Sequence, residues 1–84
     1  MITARQSRAA RALLGWTQET LADRAQVSLT ALKRLESESG LDVYETTRDQ
    51  VRRAFEASGV VLLSTEKGEG VLRLHEPSDR LARR

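Results

Sequence analysis

The stretch WTQETLADRAQVSLTALKRLE, from Trp16 to Glu36, carries two short apolar stripes on either side of a break at Gln26-Val27-Ser28. Before the break, Leu21, Ala22 and Ala25 recur at helical spacing. Thr17 can cap that helix, and Glu19 in its first turn suits the positive end of the dipole. Beyond it, Ser28 is a cap for a second helix whose Ala31, Leu32 and Leu35 point to a core. Leu29, Thr30, Lys33 and Ser37 lie on its other faces, flanked by Arg34. Helices of about two turns do not stand alone in water, so neighbours must hold both.

Those neighbours are legible on each side. Thr3 with Gln6 three residues later fits a capping box, and Ala4 to Leu14 is rich in helix-forming Ala, Arg and Leu, with Gly15 as its stop. Ala10, Leu13 and Leu14 line its apolar face, and Arg5, Arg8 and Arg11 form a basic stripe beside it. On the far side, Glu38-Ser39-Gly40 ends the helix, and Leu41, Val43 and Tyr44 fold back over the core. Thr46 with Asp49, or Thr47 with Gln50, starts a fourth helix through Ala57, whose apolar set is Val51, Ala54 and Phe55. Trp16 reads as a core anchor, Tyr44 and Phe55 as core, and Arg52, Arg53 and His75 as surface.

After Gly59 the pattern changes. Val60-Val61-Leu62-Leu63-Ser64 and Val71-Leu72-Arg73-Leu74 are two short strands around the polar segment Thr65 to Gly70, which makes a hairpin. A two-stranded sheet is marginal by itself, so it packs on the helices or extends across a dimer interface. Pro77 ends the strand, and the chain finishes in a tail with Arg80, Arg83 and Arg84. The expected fold is mainly α: a compact domain of four helices, five with a short connecting turn, over residues 1–58. A β-hairpin follows over 59–75 and a basic tail over 76–84.

Composition narrows the function classes. The chain has 84 residues and no cysteine, which suits one small domain and excludes disulfides, thiolate metal sites and a cysteine nucleophile. The lone His75 makes no metal cluster, so neither metal nor cofactor is expected. No stretch approaches the roughly 18 apolar residues of a membrane span, and no leader pattern is present, which points to the cytoplasm. The net charge is only +2, so a nucleic-acid partner must be argued from where the arginines sit. An enzyme fits poorly. The acids read as solvent-facing with no histidine partner, and Lys67-Gly68-Glu69-Gly70 lacks phosphate-loop spacing.

Two short helices joined by a tight turn, the second presenting small polar and basic side chains, make the layout of a helix-turn-helix. A helix fits the major groove of B-DNA, and the preceding one crosses the phosphate backbone. Here the sequence resembles the Cro/repressor-type (Xre-like) helix-turn-helix regulators of bacteria and phages. The residues that carry the resemblance are Thr17-Gln18-Glu19, Leu21-Ala22, Val27-Ser28 and Leu29 to Glu36. The approach Arg8-Ala9-Ala10-Arg11, Leu13-Leu14-Gly15-Trp16 resembles a small subgroup whose C-terminal hairpin begins Gly-Val, as Gly59-Val60 does.

The resemblance implies a sequence-specific regulator of double-stranded DNA, a dimeric repressor on a palindromic operator. Leu29, Thr30, Lys33 and Arg34 would face bases. Gln18, Thr17, Ser28, Ser37 and Arg8 would face phosphates, and Glu36 would be structural. Val60, Val61, Leu62, Leu63, Val71 and Leu72 would join a homodimer. Two positions depart from the family pattern. Gln26 stands where a turn glycine is usual and must accept a left-handed backbone or shift the turn. Leu29 cannot hydrogen-bond a base edge, although it can pack on a thymine methyl. The alternative is a protein-interaction or antitoxin-like module on the same fold, with Leu29 and the hairpin edge as apolar contacts and DNA binding secondary or partner-dependent.

Overall fold

The computed structural model describes residues 1–37 and 43–75. Four helices and a hairpin follow in order: α1 (Ala4–Leu14), α2 (Gln18–Ala25), α3 (Leu29–Glu36), α4 (Glu45–Ala57), β1 (Val60–Thr65) and β2 (Gly68–Arg73). The expected end of α3 at Glu38 to Gly40, the fold-back of Leu41, a connecting fifth helix and the tail from Pro77 onward lie outside the described residues.

Local chemistry sets each helix boundary. The Thr3 hydroxyl accepts from Gln6 N while the Gln6 side chain accepts from Thr3 N, closing the capping box of α1. Gly15 ends α1 in the left-handed region at φ 70°, and Trp16 N then donates to Arg11 O at 2.9 Å. Gln26 ends α2 in the same way at φ 56°, with Val27 N donating to Ala22 O at 3.0 Å. The turn therefore keeps the geometry a glycine would take, and the glutamine bears a steric cost of roughly 1–2 kcal/mol for it. Thr17 and Ser28 cap α2 and α3, their hydroxyls accepting from Thr20 N and Ala31 N.

Phe55, Ile2, Leu21, Leu32, Leu35 and Val51 are fully buried and form one core with Ala10, Ala22, Ala25 and Val60. Each large aliphatic side chain removed from water there contributes about 1.5–3 kcal/mol. Trp16 leans on this core with its ring stacked 5.9 Å from Phe55, and the Arg24 guanidinium lies 4.9 Å from the indole. The anchor role expected of Trp16 thus holds, with a cation covering its open side.

The hairpin packs on α1 and α4. Its register pairs Val60 with Arg73, Val61 with Leu72, Leu62 with Val71 and Leu63 with Gly70. Since side chains alternate along a strand, Val60, Leu62 and Val71 share the inner face and touch the core. Val61, Leu63 and Leu72 face outward. Gln6 ties the sheet to α1, its Nε2 donating to Leu63 O at 2.8 Å and Gly70 O at 3.0 Å.

Several expectations need correction. Tyr44 is 83% exposed rather than core, because Val43 turns inward and the next residue of the extended chain points the other way. Helix α4 begins at Glu45 without a side-chain cap, and Thr47 is a buried residue of its first turn instead of a starter. Leu13 is 46% exposed, since Gln6, Ser7 and Ala10 form the buried stripe of α1 and Leu13 falls at its margin. The hairpin turn shrinks to Glu66-Lys67, with Thr65 Oγ1 accepting from Lys67 N and donating to Gly68 O, so Glu69 and Gly70 belong to β2.

The two left-handed helix ends give opposite mutational outcomes. Gln26→Gly should stabilise the protein by about 1 kcal/mol, and Gly15→Ala should destabilise it by a similar amount. Urea midpoints at unchanged m-value measure both. A neutral or destabilised Gln26→Gly variant would show that the glutamine side chain offsets its own backbone cost.

Candidate nucleic-acid interface

Helix α3 buries Leu32, Leu35 and Glu36 and exposes Thr30, Lys33 and Arg34, with Ser37 exposed at its C-cap. At 100° per residue these four exposed positions fall within one third of the helix circumference. Three came from the expected base-reading set. The fourth member, Leu29, is half-buried and packs against the core, because it lies one turn before Leu32 on the inner side. The exposed polar face of α3 therefore consists of Thr30, Lys33, Arg34 and Ser37.

Two of the expected phosphate residues, Gln18 and Arg8, bond to Glu36. This last residue of α3 is only 4% exposed, although an acid there faces the negative end of the helix dipole. Arg11 from α1 neutralises it. Arg11 Nη2 donates to Oε1 at 2.8 Å, and Nε to Oε1 and Oε2 at 3.1 and 3.0 Å. Ser7 Oγ donates to Oε2, and Gln18 Nε2 from the start of α2 donates to Oε1 at 3.0 Å. Arg8 Nη1 donates to the Glu36 carbonyl, and Arg11 Nη1 to Trp16 O at 3.3 Å. One carboxylate thus joins α1, α2 and α3.

Burial pushes the Glu36 carboxyl up, but the hydrogen bonds from Arg11, Ser7 and Gln18 and the Arg11 charge outweigh it and hold the group below its usual 4.5. Glu36 is structural in this arrangement, and it corrects the expectation that the acids are all solvent-facing. Gln18 and Arg8 each spend a donor inside the network. Thr17 and Ser28 are exposed with their hydroxyls serving as caps, Thr17 Oγ1 also donating to Thr20 Oγ1 at 3.0 Å.

A groove of about 350 Å³ runs beside this polar face between α3 and the start of α4, lined by Gln26, Ser28, Thr30, Arg34, Tyr44 and Gln50. Gln26, Tyr44 and Gln50 were absent from the expected site. Gln26 carries a signal in the sequence as the odd residue in the turn, whereas the aromatic Tyr44 reads there as core. Among the proposed dimer residues, Val60 is 2% exposed and Leu62 and Val71 pack on the protomer's own core, so their side chains are already used. Leu63 and Leu72 are 44% and 50% exposed. Arg52 and Arg53 bond Asp49 and Glu56 on α4, as a surface charge cluster does. Among the described residues no group of acids, histidines or cysteines could hold a metal, and no helix is long and apolar enough to cross a membrane.

Residues 8–42 match the helix-turn-helix family model HTH_3. No curated protein and no solved structure matches the chain.

The Glu36 network makes a signed prediction. A carboxyl whose pKa is lowered by folding stabilises fully above its unfolded value, and that contribution is lost as pH falls through the folded value. Glu36→Gln should therefore cost about 3 kcal/mol at neutral pH, with the gap to wild type closing as pH drops below about 4.5. Urea unfolding across that range reads it. A gap independent of pH would mean that packing, and not the charge, holds Glu36.

Proposed function

We propose that the chain, whose residues 8–42 match a helix-turn-helix family model, is a dimeric, sequence-specific repressor of the Cro/C1 type that inserts α3 into the major groove of DNA. The observation that carries this reading is the single polar face of Thr30, Lys33, Arg34 and Ser37 on a helix capped by Ser28. Lys33 and Arg34 suit guanine edges, and Thr30 suits either a base edge or a thymine methyl. Gln26 and Tyr44 beside the groove, and Thr17 and Ser28 at the helix starts, lie where flanking phosphates would run. Gln18 would reach phosphate from the start of α2, beside its bond to Glu36.

One short helix discriminates poorly among sequences, so two copies reading half-sites about one helical turn apart explain a module of this size. The hairpin is the element we assign to joining them, through the backbone edges and the outward Val61, Leu63 and Leu72. A repressor needs no more than occupancy of its operator, which a chain of this kind can supply without a catalytic constellation.

Selection from a random duplex library tests the reading. Wild type should enrich a palindrome with half-sites about one turn apart. The Lys33→Ala/Arg34→Ala double variant should lose roughly 10- to 1000-fold in affinity for that palindrome, from about 1–3 kcal/mol per base contact. Enrichment unchanged by the double substitution would remove α3 as the reader and leave the fold as a protein-interaction module.

A further inference from the structure

We propose that β2 is the strand that joins two copies, pairing antiparallel with β2 of a second copy about a two-fold axis at Val71. The inference rests on the dimeric reading above and specifies its register. In the hairpin, Leu74 N donates to Gly59 O at 2.8 Å, so Gly59 and Leu74 hold an inward-facing position of the ladder, while Gly59 N donates to Glu56 O. Such positions recur at every second pair of an antiparallel ladder, so Val61–Leu72, Leu63–Gly70 and Thr65–Gly68 follow. The N–H and C=O groups of Glu69, Val71 and Arg73 then point away from β1, along the outer edge of the sheet.

Placing the two-fold at Val71 gives every β2 residue a fitting partner. Val71 pairs with its own copy, and the outward backbone groups of Glu69 meet those of Arg73 in the second copy. The acid therefore lies opposite the base twice, once on each side of the axis, and opposite charges across a strand pair are stabilising. On the outer face, Leu72 falls opposite Gly70 and Leu74 opposite Gly68. Leu72 and Leu74 are 50% and 51% exposed in the single chain. A side chain added at Gly68 would meet nothing within 4 Å, so the partner's leucine has room over it. Glycines within a strand commonly mark the close approach of another backbone.

The competing edge lacks this match. Outward groups on β1 belong to Val60, Leu62 and Ser64, so pairing about Leu62 would set Val60 against Ser64, with no charge pair and no glycine opposite a leucine. The β2 arrangement instead forms a four-stranded sheet with both inner faces on their own helices, converting a marginal hairpin into a sheet of ordinary width. Helix α1 lies under the sheet, where Gln6 reaches the carbonyls of both strands, while Glu69, Leu72 and Arg73 of β2 stay exposed.

Charge reversal and cross-linking of the full chain test the proposal. Sedimentation equilibrium should show a wild-type dimer that Glu69→Arg or Arg73→Glu weakens at least about tenfold, because like charges then face each other at two symmetric places. The combined Glu69→Arg/Arg73→Glu variant should recover the wild-type dimer. That recovery separates pairing from the loss of the Thr3 Oγ1 to Glu69 Oε1 bond within one chain. The chain has no cysteine, so Gly70→Cys/Leu72→Cys should form a disulfide-linked dimer on oxidation while either single variant does not. Circular dichroism confirms that each variant is folded. A dimer indifferent to charge reversal, unrescued by the swap or uncross-linked in this register would overturn the β2 pairing and leave the dimeric reading intact. A folded wild-type chain that stays monomeric at every concentration, with and without operator DNA, would overturn both and leave the edge to a strand of another protein.

Discussion

Three helices converge on the Glu36 carboxylate, and the orientation of the exposed face of α3 depends on that junction. An acid at the buried C-terminal end of a helix is unfavourable on two counts, desolvation and the helix dipole. It persists because Arg11, Ser7 and Gln18 supply donors in fixed directions from α1 and α2. Apolar contacts alone set separations more than rotations. A carboxylate held by a guanidinium fork also sets the angle at which α3 leaves the protein. Thr30, Lys33 and Arg34 take their direction from a helix whose end is fixed by the bonds of Glu36 to α1 and α2.

A second constraint acts at the opposite end of α1. Gln6 closes the capping box and also donates to the carbonyls of Leu63 and Gly70, so one side chain starts a helix and fastens a sheet. Val60 completes the junction by entering the core beside Phe55 and Ile2. The hairpin is thus an extension of the helical core, and the apolar side chains of its inner face belong to the protomer.

The helices on either side of the turn were readable because their signals are local. Thr17 and Ser28 are caps, Leu21, Ala22, Leu32 and Leu35 keep helical period, and Gly15 marks a stop. The errors fall where tertiary context decides. Tyr44 is aromatic and follows Val43, yet the start of α4 at Glu45 sends it to solvent. Leu29 sits at the first position of α3, where outward and inward differ by a small rotation that the Glu36 junction settles. Ile2 enters the core from outside any periodic segment, and no local pattern announces it. Glu36 was legible as structural from the family resemblance. Its partners were not, because bonds between residues so far apart in sequence leave no trace in spacing.

The cations of this chain are unequal, and that inequality reaches beyond stability. Arg11 is neutralised by Glu36, and Arg52 and Arg53 by carboxylates on α4. An arginine already paired within the protein displaces few of the counterions condensed on a polyanion, whereas on the proposed reading Lys33 and Arg34 would displace them. The steepness with which DNA affinity falls as salt is raised therefore counts the unpaired cations of the interface. On the proposed reading it would be shallower than a sequence isoelectric point near 9.7 suggests. Such a protein would keep more of its grip on DNA at raised ionic strength than an equally basic chain with every arginine free, and hydrogen bonding would decide a larger share of where it binds.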